Sequence, residues 1–142
     1  MVKVSTIILF ALLVLSSVYS IVLFAVPTIV LEGDYQAITG NSYRDVLSPE
    51  AVRVSVAQIR HMMVFSTIIR VAAFFIVFAG FRKAQRWAWW AMLVVGGTDC
   101  IYGAVVNVLH GNTQDSAAFL FALVVLLVAL FLPIREFMSE RG

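Results

Sequence analysis

Polar and apolar positions along the chain segregate into long blocks rather than alternating at the two-residue period of a half-buried strand. Four blocks are predominantly apolar, at residues about 4–26, 62–81, 88–109 and 117–132. About 20 apolar residues carry an α-helix across a hydrocarbon core ~30 Å thick. The first block opens with Lys3 and has small residues at Ser17 and Ser20, in the manner of a leader. Its apolar run continues past Ser20 to Val26, ahead of Pro27, so a retained span is expected.

The polar stretches between the blocks set the topology. Ser48-Pro49-Glu50 offers an N-cap hydroxyl, a proline for the first helical position and an acid for the first turn. No further proline or glycine occurs before Gly80. A helix starting at about 49 is therefore roughly 50 Å long at 1.5 Å per residue and extends outward beyond the bilayer. The links around Arg82–Trp87 and Gly111–Ser116 are short, which makes consecutive helices antiparallel neighbours. The outer loop 28–48 is longer, mixes turn residues with tyrosines, and is expected to fold over the helix ends as a place where a partner docks. The expected architecture is a single all-α membrane domain over 1–142, a polytopic four-helix bundle.

Composition agrees with that class. Hydrophobic residues make up 62% of the chain and charged residues 13%, against about 45–50% and about 25% in soluble domains. The net charge of +2 comes from scattered basic residues, not the clustered footprint of a nucleic-acid binder. Those bases sort by link: Lys3, then Arg82, Lys83 and Arg86, then Arg135 and Arg141. The first loop sets Glu32, Asp34 and Asp45 against Arg44 alone, and the last link has only Asp115. The asymmetry predicts a multi-pass plasma-membrane protein with both termini cytoplasmic. Trp87, Trp89 and Trp90 sit where an interfacial aromatic belt is expected. The single cysteine, Cys100, excludes an intrachain disulfide and a multi-cysteine metal site.

Arg70 and Asp99 are the formal charges lying well inside the spans. Counted from the basic link, each is about 18 Å deep at 1.5 Å per residue. Adjacent antiparallel helices bring them to one level, and an Arg70–Asp99 ion pair is expected because a lone charge at that depth costs about 2.5–3.5 kcal/mol. Gly96, Asp99, Gly103, Asn107 and His110 share one helical face, and Arg60, Thr67 and Arg70 share another. A polar seam of Arg60, Thr67, Asn107 and His110 leading to the pair follows. His61 and His110 are the weak candidates for a metal, but no ligand spacing occurs within any one helix, so neither metal nor cofactor is expected.

No phosphate loop, nucleophile elbow or zinc motif occurs, so no enzymatic activity is expected. The leading expectation is a non-catalytic accessory subunit of a larger membrane complex, of the energy-converting or oxidoreductase kind, held by lipid and by other membrane subunits. The alternative is a small homo-oligomeric transporter or channel built on Arg70 and Asp99.

The layout of Thr39-Gly40, Tyr43, Leu47, Ser48-Pro49, then Phe81-Arg82-Lys83-Ala84-Gln85-Arg86-Trp87-Ala88-Trp89-Trp90, resembles a diffuse group of small, uncharacterised prokaryotic four-helix membrane proteins. That group carries an Arg-x-Gly-x-Arg-Trp-Ala-Trp-like cytoplasmic link. Ala84 and Gln85 stand where it often has glycine and glutamate. The resemblance implies the four-span architecture and contributes no catalytic residue.

Overall fold

A computed structural model describes residues 1–139 and contains seven α-helices among them. Helix α1 is Val2–Ala25, α2 Thr28–Thr39, α3 Tyr43–Val46, α4 Pro49–Ala79, α5 Arg86–Leu109, α6 Thr113–Phe131 and α7 Ile134–Met138. Helices α1, α4, α5 and α6 are each long and apolar enough to cross a membrane. The protein is an all-α polytopic bundle. Arg141 lies outside the described residues.

Each span begins and ends for local reasons. Pro27 follows the last turn of α1 and caps α2. The Ser48 hydroxyl accepts the Ala51 amide at 3.2 Å, and Pro49 opens α4, the start its sequence demands. Asn112 caps α6 by accepting the Asp115 amide at 3.2 Å. The helices α1 and α4 pack closely as one antiparallel pair, and α5 and α6 as another. Thinner contacts of α1 with α6 and of α4 with α5 close the ring.

At one end, Phe81, Trp89, Met92, Leu130 and Phe137 form a buried apolar cluster with Leu9 and Val77. The Met1 ammonium pairs with Glu136 at 2.9 Å, so the start of α1 and the short α7 meet at this basic end. Trp87 and Trp90 are half exposed there, as a belt requires. Trp89 departs from the belt: it is 3% exposed and donates its indole N–H to the Leu130 carbonyl at 2.7 Å. Leu130 lies in the last turn of α6, where carbonyls run out of amides further along the helix, and the indole answers this one.

The link after α4 is a 3-10 turn, Phe81–Lys83, closed by Ala84 in the left-handed region at φ 54°. A Cβ there costs roughly 1–2 kcal/mol. Ala84→Gly is expected to raise stability by about 1 kcal/mol after the added unfolded-state entropy is subtracted. A higher midpoint of thermal unfolding in detergent checks this.

At the other end the segment 28–48 is not a loop but a helical cap. The left-handed Gly40, φ 73°, ends α2, and the Ser42 hydroxyl caps α3 and donates to Glu32 at 2.9 Å. Leu31 of α2 and Tyr43 of α3 bury against Ile59, with Tyr35, Leu47, Val52 and Val56 around them. The outward stretch of α4 thus has its own small core. The spacing of Leu31 and Tyr35, one turn apart on α2, carries this packing; the turn residues around it conceal the helix from a reading by composition.

Candidate functional site

The thin seam between the two helix pairs holds a half-open cavity of about 130 Å³, lined by all four spans. Leu9, Leu12 and Leu13 come from α1, Ile69 and Ala73 from α4, Met92 and Val95 from α5, and Phe119 and Leu126 from α6. Into this apolar setting α4 brings Arg70, α5 brings Asp99 and Cys100, and α1 brings Ser16. The Ser16 hydroxyl donates to the Leu13 carbonyl of its own helix at 3.1 Å.

Arg70 and Asp99, expected at one level, do line one cavity. Among the described residues no contact ion pair joins them. Arg70 donates through Nη1 to the Ser66 hydroxyl, one turn back on α4. The reason lies in the glycines of α5. A Cβ on Gly96 would come within 2.9 Å of Leu126, and one on Gly103 would overlap the Phe119 ring. Both glycines therefore seat α5 against α6 rather than against α4, which leaves a gap at the level of the charges. Ser66 and Cys100 were not singled out as partners in the sequence. Their signals were the one-turn spacing of Ser66 from Arg70 and the adjacency of Cys100 to Asp99.

Without a contact partner, Asp99 is stabilised only by the more distant field of Arg70. Asp99→Asn is expected to leave the unfolding midpoint in detergent unchanged or raised, because a charge inside a membrane span costs about 2.5–3.5 kcal/mol. Loss of about 3–5 kcal/mol, the cost of breaking a buried pair, would show instead that the two charges close on each other.

The other polar residues are not brought together as a seam. Arg60 and His61 are exposed on α4. The Thr67 hydroxyl donates to Met63 at 2.8 Å, Asn107 donates to Gly103 at 2.8 Å, and the His110 Nδ1 lies 2.7 Å from the Val106 carbonyl. Each satisfies itself within its own helix, the usual recourse where a neighbour is out of reach. No group of three or more His, Cys, Asp or Glu capable of holding a metal occurs among the described residues.

A second polar cluster ties the cap to the bundle. Asn112 is 5% exposed and donates through Nδ2 to Asp34 at 3.1 Å and to Asp115 at 2.9 Å. Burial pushes the Asp34 carboxyl above its ordinary range. The Asn112 hydrogen bond opposes that rise, Asp115 adds to it, and His110 opposes it. A raised folded-state value means this group favours folding fully below its unfolded value near 3.8, and the benefit fades as pH climbs through the folded value. Protection of α2 amides from hydrogen exchange is accordingly expected to be greater at mildly acidic than at neutral pH. Asp34→Asn should flatten that dependence.

At the basic end a wider groove of about 330 Å³ lies between Lys83, Arg86 and the α7 residues Glu136 and Phe137. It is remote from Arg70 and Asp99. The chain matches no protein-family model, no curated protein and no solved structure.

Proposed function

We propose that the protein is a non-catalytic accessory subunit of a larger plasma-membrane complex, with its basic end and both termini on the cytoplasmic side. The observation that supports this reading is the cap. The helices α2 and α3 and the outward stretch of α4 fold on a core of their own, outside the apolar spans, and still present Ile29, Ile38, Val46 and Val54 more than half exposed. Apolar side chains displayed beyond the lipid-facing surface mark a place for a partner protein. Extraction in mild detergent, native separation and mass spectrometry of the band tests the reading. Co-migration with larger membrane subunits supports it and identifies whether they belong to an energy-converting or oxidoreductase assembly. Migration alone, or as copies of itself only, overturns it.

One observation favours a second reading, a small homo-oligomeric transporter or channel: Arg70 and Asp99 face a shared cavity without pairing. Solute flux into proteoliposomes that is lost in a folded Asp99→Asn variant supports it. Flux indifferent to that change removes it.

A further inference from the structure

Two opposite charges face one small cavity in an otherwise apolar setting, close enough to feel each other's field but with no contact ion pair between them among the described residues. An ion of either sign entering alone would satisfy one charge and leave its opposite unanswered in a medium where an uncompensated charge is expensive. A dipolar molecule of zero net charge answers both. Its anionic end suits the guanidinium, which holds carboxylates through two parallel N–H donors. Its cationic end suits the Asp99 carboxylate.

Volume and lining restrict the rest of such a molecule. About 130 Å³ is close to the cavity of about 150 Å³ known to accept benzene. That leaves room for roughly six to eight non-hydrogen atoms. The walls away from the charges are chiefly the side chains of Leu9, Leu13, Met92, Phe119 and Leu126, which suit a short aliphatic body, with Ser16 and Cys100 the remaining polar groups.

We infer that the cavity between the two helix pairs is a binding site for a small aliphatic zwitterion of the α-amino-acid type, with its carboxylate on Arg70 and its ammonium on Asp99. This goes beyond the subunit reading. It shares its cavity with the second reading above and asserts binding, not transport, so it is tested in the absence of any flux.

The whole chain in lipid nanodiscs is incubated with radiolabelled L-valine, and bound ligand is measured by equilibrium dialysis. Isobutyrate and isobutylamine serve as probes that carry one charge each. Expected are saturable valine binding and affinity weakened about tenfold or more by Asp99→Asn and by Arg70→Gln. Both single-charge probes should bind more weakly than valine. Absence of saturable valine binding at millimolar concentration, as for a cavity that holds water only, overturns the inference. So does binding unaffected by Asp99→Asn, or a single-charge probe binding as tightly as valine. Should Arg70→Gln fail to fold, dialysis of valine and of the two single-charge probes on the unaltered chain, with Asp99→Asn, decides the matter. A flux measurement that fails while valine binds removes the transport reading and leaves this site standing.

Discussion

Trp89→Ala is expected to destabilise the bundle by about 3–5 kcal/mol, the range for deleting a large buried aromatic. Trp89 is 3% exposed at the basic end, with its ring edge-on to Trp90 at 4.8 Å and to Phe131 at 5.8 Å. It also supplies the donor for the Leu130 carbonyl in the last turn of α6. The alanine variant loses both the packing and the donor. Trp89→Phe keeps most of the ring and loses the hydrogen bond, for about 1 kcal/mol. Unfolding of the three proteins in mixed micelles, followed by near-ultraviolet circular dichroism, separates the two contributions. Equal losses in both variants would mean that the hydrogen bond, not the ring, holds α6 in place.

The second large effect belongs to Gly103. A methyl group added there runs into the ring of Phe119 on α6. The two helices are the most closely packed in the protein, and closely seated small residues are what draw helices together in lipid. Gly103→Ala should cost about 1–3 kcal/mol, and Gly103→Leu more, through separation of α5 from α6. Shrinking the obstruction with Phe119→Ala in the same chain should recover part of the loss. Failure of that rescue in a double-mutant cycle would place the strain elsewhere.

Much of this architecture follows from features visible in one dimension. The apolar blocks predicted spans at 4–26 and 88–109, and the helices run Val2–Ala25 and Arg86–Leu109. Ser48-Pro49-Glu50 announced the start of α4 because capping is a local matter of one hydroxyl and a few amides. Depth along a helix was also legible, since residue count converts directly to distance, and Arg70 and Asp99 do meet one cavity. The gap between helices was not legible. It depends on which partner the small residues of α5 choose, and Gly96 and Gly103 turn to Leu126 and Phe119 rather than to α4. The same ambiguity hid Trp89: its place beside the basic link suits an interfacial belt, and only the position of Leu130 on another helix draws it inward. The cap escaped for a different reason. The α2 helix is short and flanked by proline and glycine, so its turn-forming ends outweigh its helical centre.

The α4 helix runs unbroken from Pro49 to Ala79, with no proline or glycine between its ends to act as a joint. It therefore behaves as a lever with one arm in the cap and the other in the bundle. From Ala79 back to Pro49 the rod is about 45 Å at 1.5 Å per residue, so a tilt of about 5° pivoting at Ala79 sweeps the cap through about 4 Å and Arg70 through about 1 Å. Read in reverse, whatever grips the cap has leverage over the guanidinium at the cavity. A sideways pull on one end of such a rod would reach Arg70 as a smaller displacement in the same sense.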